Sequence, residues 1–281
     1  MRDIKRRKAS VESTGQITKA MKLVSTVKLQ KAKSKAESNK PYFQMLYSTM
    51  CSILARTSNV LHPYLVTNGS PKKAVIAITS NRGLAGGYNN NIVKEITNKI
   101  SPEKGVIYAV GHKGYEGLAR KGYNIVEDLS EIIDEPMYKD AISVSNTVLE
   151  SYIKGEVGEI YIAYTNFKNT VTHEPKLIKL LPIELDEIPM EEEKELVPMN
   201  FEPEVEEALD VIVPKYMNNI IYGAFVEAIA SENGARMQAM DSATSNAEDM
   251  IADLSLKYNR ARQGSITQEL TEIVAGAQAI S

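Results

Sequence analysis

From about Pro214 onward, small and apolar residues recur every three or four positions, and no further proline follows for roughly 67 residues. Met217, Ile221, Ala224, Ala228, Ala235, Ala239, Ala243, Ala247, Met250, Leu254, Tyr258 and Ala261 fall near one helical stripe, and Ile266, Leu270, Ile273, Ala277 and Ile280 continue it. Proline fits the first turn of a helix, so Pro214 is the predicted start. One unbroken helix of this length extends roughly 100 Å, wider than a single globular domain. An alanine stripe buries little area, so such a helix needs a close partner helix. Residues 1–40 offer one. Ile4, Val11, Ile17, Met21, Val24, Val27 and Ala32 have helical spacing, with Ile17 to Val27 as the predicted apolar heart. Pro41 is expected to interrupt this helix before it resumes to about residue 58.

The period changes in the middle of the chain. After a break at His62, Pro63, Asn68, Gly69 and Pro71, the runs KKAVIAITS, GVIYAVG and EIYIAYTNF are short and β-branched, as buried strands are. Helical stretches near NNIVKEITNKI, KGYEGLARKG and MYKDAISVSNTVLESYIKG separate them. That alternation predicts an open, mostly parallel α/β sheet, with EPKLIKLLPIE added at its edge. Residues 182–210 carry Pro182, Pro189, Pro198, Pro203 and a run of glutamates, a solvated linker. The predicted plan is an α/β fold class with a long antiparallel coiled coil. Residues 1–58 form its N-terminal helix, 72–185 an inserted α/β domain, 186–210 an acidic linker, and 211–281 the C-terminal helix.

Composition narrows the possible chemistry. One cysteine, Cys51, excludes an internal disulfide, a cysteine zinc site and a CxxC redox pair. No run of 18 apolar residues is present to span a membrane, and MRDIKRRKAS lacks the apolar region of a secretory signal. The net charge of -3 hides an asymmetry: residues 1–40 hold twelve Lys or Arg against three acids, and 182–210 hold twelve acids against one Lys. A basic arm suits nucleic acid, a membrane surface or an acidic protein. It has no interleaved aromatics for stacking on single strands, and its apolar face is narrow for membrane insertion. The loop TSNRGLAGGYNNN places glycines between a strand and a helix, as anion-binding loops do. It lacks the Gly-Lys-Ser/Thr of a P-loop, and Gly83, Gly86 and Gly87 do not have dinucleotide spacing. His62, His112 and His173 are expected to have no acid or cysteine at ligand spacing, and Ser80, Ser231 and Asp241 no catalytic partner. No catalytic residue, cofactor or metal is expected.

Two signatures carry a resemblance. IKRRKASVESTGQITKAMKLVSTVKLQKAK, centred on Gln16-Ile17-Thr18-Lys19-Ala20-Met21, resembles the N-terminal signature of the F-type ATP synthase gamma subunits. ASENGARMQAMDSATSNAEDMIADLSLKYNRARQGSITQELTEIVAGAQAI resembles their C-terminal signature, and SNRGLAGGYNNN their segment after the first strand. The resemblance implies a non-catalytic rotor: a coiled coil inside a ring of three alpha and three beta subunits, and an α/β domain at the foot with the epsilon subunit on the c-ring. Ion flow turns the c-ring, and the rotor drives catalysis on the beta subunits, or the reverse in hydrolysis. It implies a peripheral place on the cytoplasmic face of a bacterial plasma membrane. No nucleic acid takes part.

By the same resemblance, Met21, Arg236, Gln263, Thr267, Glu269 and Thr271 match positions coupling rotation to catalysis, and Arg262 with Gln263 matches a pair meeting a beta-subunit catch loop. Lys5, Arg6, Arg7, Lys19 and Lys22 suit electrostatic contact with acidic beta-subunit loops, a contact that long hydrated side chains can repeat. Leu270, Ile273, Val274 and Ile280 suit an apolar bearing at the tip. The chain departs from the family at Gly15, Gly234 and Gly264, where a larger residue is usual. Each glycine costs a helix interior about 1 kcal/mol relative to alanine, which predicts a torsionally softer shaft. Ala85 replaces a cysteine common in the loop, and with no paired-cysteine insert the chain has no thiol switch of the chloroplast type. The competing functions are a coiled-coil adaptor that binds nucleic acid or an acidic partner through the basic arm, and a nucleotide-binding regulator built on the Gly83–Gly87 loop.

Overall fold

The computed structural model describes residues 1–55, 62–170, 172–183 and 205–280. The order is α1 (Arg2–Ala55), β1 (Lys73–Ile78), α2 (Tyr88–Lys99), β2 (Gly105–Val110), α3 (His112–Ala119), β3 (Asn124–Asp128), a 3-10 turn (Ile132–Asp134), α4 (Tyr138–Ile153), β4 (Glu159–Phe167), β5 (His173–Leu181) and α5 (Val205–Ile280). The chain divides into two compact units, Met1–Ser25 with Arg236–Ser281, and Thr26–Ala235. Both terminal helices contribute to both units, so the division does not follow the predicted boundaries. Most of the predicted linker, and the predicted end of the first helix at residue 58, lie outside the described residues.

The second unit is a five-stranded sheet in the order β3-β2-β1-β4-β5. β1 to β4 pair in parallel and β5 runs antiparallel to β4 at the edge. Both faces are covered, so β1 is buried along nearly its whole length. Successive side chains point to opposite faces. Val75, Ala77, Ile107 and Ala109 meet Ile92, Val93 and Ile96 of α2 and Leu118 of α3. Ile76, Ile78, Tyr108, Val110, Ile160 and Ile162 meet Val144, Val148 and Tyr152 of α4 on the other side.

That second face is completed by α5. Leu209, Val213, Met217, Ile221, Phe225 and Ala228 all join its core. The stripe from Met217 to Ala228, expected in the coiled coil, is therefore a sheet-packing face. This explains why Pro214 does not start the helix. α5 already runs from Val205, and Leu209, Val213 and Met217, on either side of the proline, are fully buried. Burial of those side chains offsets the lost hydrogen bond to the carbonyl four residues earlier. Pro41 likewise lies inside α1 without interrupting it. It is exposed, as is Glu37, whose carbonyl it leaves unbonded on the solvent side. Strand β3 was not expected. It is five residues of alternating burial at the sheet edge, too short and acidic to register as an apolar run.

The first unit pairs the start of α1 with the end of α5. Thr18 reaches Thr244 and Lys22 reaches Asp241, so the pair is antiparallel. One stripe of sheltered positions on α1 runs through Ile4, Lys8, Val11, Gly15, Thr18, Lys22 and Ser25; on α5 one runs through Met240, Thr244, Ala247, Ile251, Leu254, Tyr258 and Ala261. Alternating steps of four and three define a coiled-coil seam. The predicted apolar heart is mostly elsewhere: Ile17, Leu23 and Val24 are 57%, 63% and 58% exposed. Met250, placed on the α5 stripe by sequence, is 42% exposed, with Ile251 taking its place in the seam. The 3.5-residue repeat passes through glycine, threonine and serine, which a search for apolar residues overlooks.

Candidate functional site

The residues singled out by sequence fall into three groups along the first unit. Lys5, Arg6, Arg7 and Lys19 are exposed on α1. Arg6 makes an exposed ion pair with Asp3 at 3.4 Å. Lys22 differs from them: its Nζ donates to Asp241 Oδ1 at 2.6 Å, so it ties the two helices together at their partly exposed edge. The partner of Asp241 is thus a lysine of the other helix, in a structural ion pair. Met21 and Arg236 are half-buried.

The second group lies on the last part of α5. Arg262, Gln263, Thr267, Glu269 and Thr271 are all exposed. The threonine hydroxyls donate within the helix, Thr267 to the Gln263 carbonyl at 2.9 Å and Thr271 to the Thr267 carbonyl at 2.8 Å. The third group is apolar and also open: Leu270, Ile273 and Val274 are 57%, 68% and 56% exposed. The side chain of Ile280 lies outside the described residues. From residue 266 to 278 every side chain is exposed, so this stretch of helix projects an apolar and charged surface that α1 does not cover.

The second unit holds the residues weighed for ligand chemistry. The Gly83–Gly87 loop is a turn tied down by side chains. Asn89 Oδ1 accepts from the Ser80 amide at 2.9 Å, and Asn81 accepts from the His112 amide at 3.0 Å while donating to the Ser130 carbonyl at 2.8 Å. Leu84 and Gly86 take left-handed backbone angles there. A sheet of this order takes nucleotides outside the carboxyl ends of its central strands, where the strand order reverses. Here α5 occupies that crevice. Ser231 Oγ donates to the Thr165 carbonyl at 3.0 Å, Asn166 donates to Glu227 at 2.9 Å, and Tyr88 Oη donates to the Ala228 carbonyl at 3.2 Å. The chain's own helix takes the place of a ligand.

Two histidines have acid partners, contrary to expectation. His62 Nε2 lies 3.2 Å from Asp210 Oδ1, and His112 Nε2 lies 3.2 Å from Glu116 Oε1. Glu116, four residues after His112, was legible in the sequence; Asp210 was not. Among the described residues, no group of three or more His, Cys, Asp or Glu is placed to hold a metal. His173 has its Nε2 buried with no hydrogen-bond partner, against Gly234 of α5 and at 5.9 Å from the Phe167 ring. Burial holds its pKa below the usual histidine value. Burial also raises the Glu227 carboxyl, and it pushes the Tyr164 hydroxyl up to about 12, with the Glu227 charge as the second cause. These groups pack β4 and β5 against α5.

The geometry is thus that of a helix pair with open flanks and a separate sheet domain with a filled crevice. A family model described as ATP synthase matches residues 1–280. The chain is 64% identical to the ATP synthase gamma chain of Lachnoclostridium phytofermentans, covering 100% of this chain and 99% of that one. It is 40% identical to the sodium ion specific ATP synthase gamma chain of Acetobacterium woodii, covering 100% and 99%. A chain of the Tetrahymena thermophila mitochondrial ATP synthase central stalk and c-ring structure superposes with a TM-score of 0.56 at 25% identity, over 81% of this chain and 99% of that one. For a chain of the Euglena gracilis mitochondrial ATP synthase the TM-score is 0.71 at 20% identity, over 99% and 94%, a likeness of fold alone. The chain belongs to the ATP synthase gamma-chain family, the non-catalytic central-stalk subunits that carry rotation to the catalytic ring.

Proposed function

We propose that the α1–α5 helix pair of the first unit turns inside a ring of three alpha and three beta subunits, and that the sheet domain seats against the epsilon subunit and the c-ring. The observation that carries this reading is the exposed end of α5. Ile266, Leu270, Ile273 and Val274 leave a continuous apolar surface in water unless other polypeptides surround it. A stalk that turns must not be gripped at one angle, and a surface of separate side chains on a bare helix meets that need. Arg262, Gln263, Thr267, Glu269 and Thr271 on the same stretch are the contacts through which turning reaches the catalytic subunits. Met21 and Arg236 act from the level of the helix pair. Lys5, Arg6, Arg7 and Lys19 meet acidic loops of the beta subunits. Membrane attachment is then peripheral, through the c-ring, on the cytoplasmic face of a bacterial plasma membrane. It agrees with this that no helix among the described residues is long and apolar enough to cross a membrane.

Deleting residues 270–281 tests the reading. The shortened chain is expected to keep the circular dichroism and unfolding transition of its sheet domain, and ATP synthesis by the assembled enzyme is expected to fall. Undiminished synthesis would remove the bearing from the proposal. Purification of the tagged chain should bring down the larger alpha and beta subunits in a salt-tolerant complex. Retention on nucleic acid that weakens steeply with salt would favour the adaptor reading instead.

A further inference from the structure

The seam positions of α1 from Gly15 to Ser25 are Gly15, Thr18, Lys22 and Ser25, none of them a large apolar residue. Gly15 faces Ala247 so closely that a Cβ on Gly15 would lie 3.4 Å from the Ala247 Cβ, and Ser25 is buried at the end of the seam. Small residues let two helices approach, but they offer few knobs to oppose sliding. Sliding matters because twisting a two-stranded rod requires one strand to move along the other. The torsional stiffness of the rod therefore depends on whatever resists that movement.

Two contacts between the helices do so. Thr18 Oγ1 and Thr244 Oγ1 are 2.8 Å apart, and Thr18 is only 8% exposed. Each hydroxyl also lies within reach of a carbonyl of its own helix, Thr18 at 3.0 Å from Gly15 and Thr244 at 2.8 Å from Met240. One proton crosses the seam while the other is returned to its own helix. One turn along α1, Lys22 Nζ donates to Asp241 Oδ1 at 2.6 Å. Axial movement by part of a turn separates both pairs, and at Thr18 water has little access to replace the lost partner.

We propose that Thr18 with Thr244, backed by Lys22 with Asp241, forms a shear key that holds the two helices in axial register under torque. The four are positioning residues for rotation-coupled ATP turnover, a role that rests on the rotor reading above. The polar seam trades apolar burial for a fixed register, as single polar residues do in other coiled coils.

The test has two arms. In the full-length chain, with Cys51 replaced by serine, spin labels at cysteines introduced for the exposed Ser13 and Glu248 report the helix-to-helix distance distribution. The parent chain is expected to give one narrow distribution, lost in Thr18→Val with Thr244→Val and in Asp241→Lys. Adding Lys22→Asp to Asp241→Lys, which restores the ion pair in reverse, is expected to recover it. In the assembled ATP synthase, Thr18→Val with Thr244→Val, and Asp241→Lys, are expected to lose torsional stiffness in single-molecule rotation while keeping their unloaded ATP hydrolysis rate. A disulfide between cysteines introduced at Gly15 and Ala247 is expected to restore the stiffness. A distribution that stays narrow in both the valine and the Asp241→Lys variants would overturn the shear key. A broadened distribution with unchanged stiffness in the assembled enzyme would leave the contact standing and overturn the rotor path assigned to it.

Discussion

Helix α5 lives in two environments. Between Val205 and Ala235 it lies in the core of a sheet domain, where Met217, Ile221 and Phe225 are fully buried. From Arg236 onward it has a partner helix on one side, and from residue 266 to 278 every side chain is exposed. The two halves share a residue spacing yet depend on different physics. Large apolar burial stabilises the first half. The second is held by a narrow seam of mixed polar and apolar residues, and its last apolar side chains, Leu270, Ile273 and Val274, are left exposed. A side chain of the same type should therefore serve stability in one half and function in the other.

The largest expected break in that contrast is Phe225→Ala against Leu270→Ala, followed by urea unfolding of the full chain. Removing the fully buried phenylalanine is expected to cost roughly 3–5 kcal/mol. Removing the exposed leucine is expected to stay within about 0.5 kcal/mol and to show only in ATP synthesis by the assembled enzyme. Equal costs would mean that the end of α5 is sheltered within the chain after all.

The glycines sharpen the comparison. A Cβ at Gly264 meets nothing within 4 Å, whereas one at Gly234 would lie 2.5 Å from His173 Nε2. Gly264→Ala is expected to stabilise the chain by up to about 1 kcal/mol. Gly234→Ala is expected to destabilise it by about 1–3 kcal/mol, and His173→Ala in the same chain should remove most of that cost. These glycines are not interchangeable contributors to a soft shaft. Gly234 makes room for a ring, so a soft-shaft test belongs at Gly264 alone: unchanged angular fluctuation in Gly264→Ala would end that idea.

A smaller effect follows from His173. Burial lowers its folded-state pKa below the model-peptide value of about 6.5. The neutral ring is favoured in the fold, so its contribution is present above the unfolded pKa and is lost as pH falls toward the folded pKa. Glu227 runs the opposite way. Its raised pKa means that the fold gains stability as pH falls through that value toward the carboxylate range. His173→Gln is expected to flatten the stability loss just below about pH 6.5, and Glu227→Gln to flatten the gain at lower pH. Denaturant midpoints measured across pH check both.

Much of the architecture was legible in the residues. The apolar runs of β1, β2 and β4 are strands because both of their faces are covered, which leaves no polar alternation to obscure them. β3 escaped notice because an edge strand needs neither length nor continuous hydrophobicity. The exposed coupling candidates Arg262, Gln263, Thr267, Glu269 and Thr271 were accessible only through the family signature. Nothing in their local pattern separates them from any solvated helix.

The chain by itself determined two long helices and a mostly parallel α/β sheet between them in sequence, because periodicity and residue chemistry are local properties. Tertiary structure decided which residues of those helices face each other. It moved Met217 to Ala228 into a sheet core, carried α5 through Pro214, closed a ligand crevice with Ser231 and Glu227, and drew the seam through Gly15, Thr18 and Ser25. Those outcomes depend on partners distant in sequence, whose burial outweighs the preference of any single residue for its place in a helix.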